Sequence, residues 1–360
     1  MDKRSRIRAC LLGVAVGDAM GYTVDDKLWE RIREDYGPDG LRGYDLVNGY
    51  AAISSYTQLA AWGCNALLLG LTRGRLRGVM APYVRYLELA GKDWARHQRR
   101  NPEPGPYWVG REEALQTRRC MEQLMPDSYQ HTPAATMESP LNRFRTPGSL
   151  SFAVAAGMTL DPQMVPREEI ARLGAEAVAL THGHPMAFLT GSVLSELLNM
   201  LLYDGAQLNA DLVREITSRM RSRFAGQYRQ AGELSALLQS VLHTRGGGLQ
   251  EQMEHLECDS ADRVLAGALL AVLSCPDDPD AALIAAVNHS GRSAACGAVT
   301  GALLGASMGM EAVPEFYLEC LEPRFVLEEL ADDVFRGCPM GRESSLFDDE
   351  WDRKYVQWGR

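Results

Sequence analysis

The sequence predicts an all-α protein, on three observations. Apolar residues recur three or four positions apart over a series of segments of helical length. The apolar–polar alternation that is typical of half-buried strands is nearly absent. The chain has 360 residues, 46% of them hydrophobic, so it can bury a large core in one big domain or two ordinary ones. The predicted helices span residues 5–20, 54–71, 78–97, 111–124, 166–181, 184–203, 209–224, 229–243, 259–274, 278–288, 294–309 and 324–336.

Local signals mark several helix ends. Ser-Ala-Asp at 260–262 and Asp-Pro-Asp at 278–280 supply side-chain oxygens that can cap a helix N-terminus. Gly74, Gly205 and the glycines at 246–248 are expected at helix ends or in loops, because glycine readily adopts the left-handed conformation that closes a helix.

Two segments lack helical periodicity. Residues 98–110 contain three prolines and two glycines, and residues 126–148 contain four prolines. Long irregular segments in a compact domain are often binding loops. The tail 339–360 is rich in aromatic residues, which predict that it docks on the body of the protein. We therefore expect one domain over residues 1–338, with the tail 339–360 packed against it.

Charge and apolar runs limit the classes of function. The chain has 37 basic and 47 acidic residues, a net charge of −10, which argues against a general nucleic-acid binder with a basic face. The N-terminal apolar run is interrupted by Gly17 and Asp18 and resembles neither a membrane span nor a cleaved leader. These features predict a soluble, cytoplasmic protein that binds neither nucleic acid nor a membrane.

The eight cysteines are expected to be reduced and to lie in the core. No two of them form a CxxC pair, and most fall within apolar helical patterns, so their spacing favours neither a zinc site nor a disulfide framework. They are Cys10, Cys64, Cys120, Cys258, Cys275, Cys296, Cys320 and Cys338.

Five segments, in order, resemble one family. They are LLGVAVGDAMGYTVD (11–25), SSYTQLAAW (54–62), RTPGSLSFAVAAGM (145–158), THGHP (181–185) and VNHSGRSAACGAVTGALLGASMGMEAVPEFY (287–317). The first resembles GxxxGDAxGxxxE, the second a TDDTQ helix start, and the last NxxGDxDTxxxxxGxxxGAxxGxxxIPxxW. Together these motifs are similar to those of the ADP-ribosylglycohydrolases, of the type that activates dinitrogenase reductase. The resemblance covers about residues 7–336.

The resemblance implies an all-α fold and the removal of ADP-ribose from protein side chains or related acceptors. It also implies two divalent cations, commonly magnesium, held by the aspartates of the TDD and DxDT runs. In this sequence the TDDT run reads Ser54, Ser55, Tyr56 and Thr57, and neutral hydroxyls are poor magnesium ligands. The GDxDT run reads Gly291-Arg292-Ser293-Ala294-Ala295, so neither aspartate is present. The chain is thus expected to be a divergent member with no metal site and no cofactor.

Arg292 is the most informative of these substitutions. A cation beside it would be repelled, because two like charges ~4 Å apart cost about 4 kcal/mol at an effective dielectric constant near 20. The hypothesis is that the Arg292 guanidinium occupies the position of a metal, where it either pairs with Asp25 or Asp26 or binds a phosphate or carboxylate of a ligand. The alternative is a solvated surface arginine. Tyr56 would fill the volume left by an aspartate and its metal.

The other candidate site residues have two interpretations each. Asp25 and Asp26, near the glutamate of the family motif, are either catalytic acid–base groups or exposed loop acids. His182 and His184 are either structural residues at a helix start or ligand contacts. The predicted ligand-binding set is Ser54, Ser55, Tyr56, Thr57, His182, His184, Gly291, Arg292 and Ser293.

Three functions remain open. The first is a catalytically silent or repurposed relative of the glycohydrolases, a pseudoenzyme without a dinuclear metal centre, whose cleft binds ADP-ribose or another small anionic ligand. The second is an active ADP-ribosyl hydrolase in which Asp25 or Asp26 is the base and Arg292 replaces the metals. The third is an interaction scaffold that presents the aromatic residues of the irregular segments (Tyr107, Trp108, Tyr129 and Phe144). The sequence identifies no protein partner.

Overall fold

A computed structural model describes residues 2–79, 81–100, 135–243, 247–341 and 347–357, with side chains of the fourth helix described up to residue 96. Over these ranges the protein is all-α, as predicted: the described residues contain no β-strand and only two isolated β-bridges, Val47–Tyr50 and Ala51–Leu321. The described helices are α1 (Lys3–Gly21), α2 (Trp29–Tyr36), α3 (Ser55–Arg77), α4 (Tyr83–Arg100), α5 (Leu150–Thr159), α6 (Arg167–Ala179), α7 (Pro185–Asn199), α8 (Ala210–Phe224), α9 (Gln230–Leu242), α10 (Leu249–Leu256), α11 (Ala261–Ser274), α12 (Pro279–Val287), α13 (Ser293–Met308), α14 (Glu315–Leu318), α15 (Arg324–Arg336) and α16 (Asp349–Tyr355). Short 3₁₀ turns cover Pro147–Ser149 and Gly309–Ala312, and a π-helical segment, Met200–Asp204, extends α7.

Helices α1 and α13 form the centre of the molecule and lie unusually close together. A Cβ atom on Gly17 would lie 1.9 Å from the carbonyl oxygen of Gly297, and one on Gly13 would lie 2.1 Å from that of Gly301. No side chain fits in these gaps, so the two backbones approach each other at glycines on both helices. The glycines that resemble the family motifs therefore have a packing role here.

The most apolar helices are core helices. The continuous helical stretches Pro185–Asp204 and Ser293–Ala312 are long and apolar enough to cross a membrane by length and composition, but 89% and 83% of the respective windows are buried inside the protein. Burial by neighbouring helices accounts for this apolar character, since a helix that is hydrophobic all round is also expected in the core of a large soluble protein.

The structure confirms most of the predicted helices and corrects several ends. Gly74 lies inside α3, and the helix ends instead at Gly78, whose φ of 69° is left-handed. Asp278 caps α12 by accepting a hydrogen bond from Ala281 N, as predicted, whereas the Ser260 side chain makes no capping bond to α11. Gly205 has φ of 65° and closes the stretch after α7.

Five helices were not predicted, and the predicted helix over 111–124 lies outside the described residues. Helix α5 has all ten residues buried, so its sequence has no polar face to reveal a helical period. Helices α2, α10, α14 and α16 have eight residues or fewer, too short for a sustained pattern.

The described part of the C-terminal tail contacts α3 and α15. Trp351 is 1% exposed and donates its indole N–H to the Thr72 hydroxyl over 2.8 Å, and Tyr355 is fully buried and donates to Asp333 over 2.7 Å. Phe347, another of the aromatic residues on which the docking prediction rests, is 63% exposed. Trp358 lies outside the described residues.

Candidate functional site

The close packing of α1 and α13 brings two predicted site segments together. Helix α1 ends at Gly21, where a Cβ atom would lie 2.4 Å from the backbone carbon of Ser293, the first residue of α13. The turn that follows α1 carries Asp25 and Asp26, so both carboxylates lie at the start of α13. Asp26 has a left-handed φ of 61° and donates its N–H to Gly291 O over 3.3 Å.

Asp25, Asp26 and Arg292 form an ion-pair cluster at this helix start. One Asp25 oxygen accepts the Ala294 N–H over 3.0 Å, which caps α13. The other lies 3.9 Å from Arg292 Nη1, and the same nitrogen contacts an Asp26 oxygen. The exposed fractions are 35% for Arg292, 24% for Asp25 and 60% for Asp26, so solvent reaches the cluster.

Burial perturbs the Asp25 carboxyl. Loss of hydration raises its pKa to about 7, and the negative charge of Asp26 acts in the same direction. The bond from Ala294 N–H and the charge of Arg292 oppose this shift without cancelling it. Asp25 therefore exchanges a proton near neutral pH, as a general acid or base requires.

The second predicted segment, at the start of α3, is bound to a different carboxylate. Asp18, fully buried on α1, accepts four hydrogen bonds: from the N–H and hydroxyl of Ser54 over 3.0 and 2.7 Å, and from those of Thr57 over 3.0 and 2.6 Å. Burial raises the Asp18 pKa to about 6, although all four bonds oppose the shift. Both hydroxyls thus donate to a structural acid that fastens α3 to α1.

Ser55 and Tyr56 complete the start of α3 and are both buried. Tyr56 N–H donates to the Ser54 hydroxyl over 3.2 Å, and burial raises the pKa of the Tyr56 phenol well above its usual value. The negative charge of Asp25 raises this pKa further, and the positive charge of Arg292 opposes the shift. The Tyr56 ring lines an apolar recess of about 10 Å³ against α5 and α13, which has room for one water molecule at most.

Backbone and side-chain bonds fix the turn that carries Gly291 and Arg292. Arg292 N–H donates to Cys258 O over 3.0 Å, and Asn288 exchanges two hydrogen bonds with the backbone of Leu41. A Cβ atom on Gly291 would lie 2.2 Å from Glu257 O, so the turn and the 257–258 backbone are in direct contact. The Arg292 guanidinium is therefore presented by a rigid backbone.

His182 and His184 bond to a different set of residues. His182 is fully buried between the hydroxyls of Thr146 and Thr181, at 2.9 and 2.8 Å, and burial lowers its pKa to about 3. His184 caps α7 by accepting the Met186 N–H over 3.2 Å. Burial lowers the His184 pKa, and the charge of Arg145 adds to the effect. Their described hydrogen bonds give both histidines structural roles, and none joins them to the Arg292 cluster.

The aromatic surface expected on the irregular segments falls mostly outside the described residues. Tyr107, Trp108 and Tyr129 are among the undescribed positions, whereas Phe144 is described and 37% exposed.

One chemically active cluster was not predicted. Cys258, His289 and Cys296 come together behind the Arg292 turn, and all three are buried. They are 31 and 7 positions apart along the chain and belong to no common motif, so their spacing does not predict this cluster.

Comparison with known proteins identifies the family. The family model for ADP-ribosylglycohydrolase matches residues 1–343, and the chain belongs to that family. No curated protein matches the chain. A solved structure described as an ADP-ribosylglycohydrolase-related protein complex is similar, with a TM-score of 0.62 and 23% identity over 93% of this chain and 98% of the other. At this identity the structural likeness supports the fold alone.

Proposed function

We propose that this protein is a ligand-binding member of the ADP-ribosylglycohydrolase family that does not assemble a dinuclear magnesium centre. The ligand would be ADP-ribose or another small molecule with a phosphate or carboxylate, bound at Arg292. The main support is the arrangement of Arg292, Asp25 and Asp26 at the start of α13.

The donor set argues against two magnesium ions. Magnesium requires near-octahedral oxygen coordination and is usually held by carboxylates. The described carboxylates at the two helix starts are already engaged: Asp18 by four donors, and Asp25 and Asp26 by the Arg292 guanidinium. A magnesium ion would have to displace or approach a fixed positive charge.

The guanidinium retains capacity for an anion. Both ion pairs use Nη1, and the contacts of the described residues leave Nη2 and Nε for a ligand. Arg292 is partly exposed, and the guanidinium fork matches the oxygens of phosphate or carboxylate. Asp25 and Asp26 would hold the guanidinium in place for the ligand.

Calorimetric titration with ADP-ribose and with magnesium, separately and together, tests this proposal. We expect one ADP-ribose per chain with an affinity that EDTA does not change, and no stoichiometric heat from magnesium alone. Arg292→Ala should weaken binding by at least about tenfold, since a charge-assisted hydrogen bond contributes about 1.5–3 kcal/mol. The matched control is Arg324→Ala, because Arg324 is also partly buried and pairs with two carboxylates, those of Glu315 and Glu328.

Two results would overturn the proposal. Stoichiometric magnesium binding on which ADP-ribose binding depends would restore the metal-dependent interpretation. Absence of binding of ADP-ribose and of inorganic phosphate and acetate by the wild-type protein would show that Arg292 holds no such anion.

A second candidate, an active hydrolase without metals, is favoured by the Asp25 pKa of about 7. Asp25 would act as the base that activates water, and Arg292 would supply the positive charge. Turnover of ADP-ribosyl-arginine or ADP-ribosyl-serine that persists in EDTA and is lost in Asp25→Asn would support it. Turnover that Asp25→Asn leaves unchanged would exclude this role for Asp25.

A further inference from the structure

Three segments of the chain bring two thiols and an imidazole to one buried point. Cys258 lies in the loop between α10 and α11, His289 in the turn before α13, and Cys296 in the first turn of α13. One potential ligand atom from each residue lies within 4.8 Å of the other two, and all three residues are fully buried. No other group of three or more such residues was found among the described part of the chain.

The backbone around the sulfur atoms is adapted to this convergence. A Cβ atom on Gly267 of α11 would lie 2.6 Å from Cys258 Sγ and 3.3 Å from Cys296 Sγ, so both sulfurs occupy the space left by the glycine. Glu257 and Cys258 have left-handed φ values of 59° and 30°, a conformation that is costly for residues other than glycine.

The sulfur atoms have only long contacts with the backbone. Cys258 Sγ lies 3.6 Å from Arg263 O, and Cys296 Sγ lies 4.0 Å from Val264 O. The two thiols also hydrogen-bond to each other, and Cys296 hydrogen-bonds to His289, so the three side chains are in direct contact.

The His289 ring is oriented by two backbone groups. Nε2 donates to Ala286 O over 2.9 Å, and Nδ1 accepts the Gly291 N–H over 3.0 Å, which makes the ring a neutral imidazole. A histidine that binds a metal through one nitrogen typically donates its other N–H to a carbonyl or carboxylate, and Ala286 O provides such an acceptor. Binding through Nδ1 would replace the local bond from Gly291.

We propose that Cys258, Cys296 and His289 form a closed binding site for one thiophilic d¹⁰ cation, Zn²⁺ or Cu⁺. Thiolate and imidazole donors select such ions and disfavour magnesium. Binding releases the two thiol protons to solvent, and the neutral imidazole contributes its lone pair. Three donors in a sealed site satisfy a three-coordinate cation, whereas Zn²⁺ in structural sites normally takes a fourth ligand.

The proposed metal site would contact the turn that carries Arg292, but its three residues would not bind the anionic ligand. Arg292 N–H donates to Cys258 O, and Gly291 lies against the 257–258 backbone. A cation bound by Cys258 and Cys296 would connect the loop between α10 and α11 to α13, next to the turn that carries Arg292. The inference does not depend on the proposed function, since the metal and ADP-ribose are titrated separately.

Metal retention by the full-length chain tests this site. The protein, reduced and stripped with EDTA, is loaded anaerobically with Zn²⁺ in one arm and Cu⁺ in the other, desalted, and analysed for bound metal. We expect about one equivalent of at least one ion, an increase in melting temperature with that ion, and weaker binding at pH 5.5 than at pH 7.5 because protons compete for the thiolates. The arm that retains stoichiometric metal identifies the occupant.

Matched cysteine variants locate the site. Cys258→Ala and Cys296→Ala should each lose most of the bound metal, whereas Cys64→Ala, at another buried free cysteine, should retain it. If an alanine variant does not fold, the ultraviolet spectrum of the metal-loaded wild-type protein still decides, since thiolate-to-metal charge transfer adds absorption that oxygen coordination does not. Failure of the wild-type protein to retain either ion, or equal retention by the wild type and both cluster variants, would overturn the proposal.

Discussion

The starts of α3 and α13 are alike in position but different in chemistry. Each is capped by a carboxylate from the α1 side, Asp18 for α3 and Asp25 for α13. Asp18 is fully buried and bonded by four donors from Ser54 and Thr57, whereas Asp25 has one backbone donor and a partly exposed guanidinium neighbour, Arg292. Asp18 therefore fastens two helices together, whereas Asp25 is placed to exchange a proton or a partner.

Removal of the Asp18 carboxylate should have the largest effect. Asp18→Ala leaves two backbone N–H groups and two hydroxyls buried without their acceptor, so we expect a loss of about 3–5 kcal/mol in the free energy of unfolding at pH 7. Urea denaturation measures this loss. The control is Asp26→Ala at the other helix start, where 60% exposure predicts a cost below about 1 kcal/mol. Equal losses in the two variants would contradict the distinction between the two helix starts.

Next in size is the effect of separating α1 from the start of α13. The Cβ atom of Gly21→Ala would meet the Ser293 backbone at 2.4 Å, so the helices must move apart, at a cost of about 2–3 kcal/mol. Gly232→Ala is the control, since no heavy atom lies within 4 Å of a Cβ atom there and alanine should be neutral or stabilising by up to about 1 kcal/mol. Denaturation midpoints compare the two, and a stable Gly21→Ala would show that the contact relaxes easily.

The helices that are buried on one side, such as Ala210–Phe224 and Arg324–Arg336, were predictable because one-sided burial imposes a helical period on the sequence. The exceptions follow from the same principle. Leu150–Thr159 is buried all round and has no polar face, and Trp29–Tyr36 is only eight residues long. The prediction of a helix end at Gly74 was wrong. A glycine ends a helix only where its backbone adopts the left-handed conformation, as it does at Gly78.

The candidate site was predictable in part. The resemblance to the family brought Asp25, Asp26 and Arg292 to one location, and the structure has them in one ion-pair cluster. The hydrogen bonds of Ser54 and Thr57 to Asp18 depend on distances between helices that sequence spacing does not encode. The convergence of Cys258 and Cys296 likewise depends on how α11 packs against α13, so no spacing rule predicts it.

The titration of Asp25 should appear in the pH dependence of stability. Its pKa in the folded protein, about 7, lies above the usual value of about 3.9, so the folded state holds the proton more tightly. The contribution of Asp25 to stability is therefore full below about pH 4 and is lost as pH rises towards 7. As pH rises from about 4 to 7, the unfolding free energy of Asp25→Asn should increase relative to that of the wild type by about 2 kcal/mol. Water at the exposed part of the Asp25 side chain keeps this difference below the value for a fully buried carboxyl.

Urea denaturation at a series of pH values measures that difference. Gly232→Ala, which changes no ionisable group and adds a Cβ atom in open space, is the control and should keep the wild-type dependence of stability on pH. A difference between Asp25→Asn and the wild type that is constant with pH would show that Asp25 does not titrate in this range.

The smallest expected effect concerns the guanidinium that distinguishes the α13 start. Arg292→Ala removes the positive neighbour of Asp25 and Asp26, so their charges repel at pH 8, at a cost of about 1 kcal/mol in a cluster that solvent reaches. At pH 5.5 the cost should be smaller, because Asp25 is protonated and only Asp26 loses its ionic partner. Arg324→Ala removes a guanidinium from Glu315 and Glu328, far along the chain from Asp25, and its cost should be the same at both pH values. Urea denaturation of both variants at the two pH values measures these losses in unfolding free energy. A larger loss for Arg292→Ala at pH 5.5 than at pH 8 would mean that Arg292 stabilises the fold through contacts other than its pairing with Asp25.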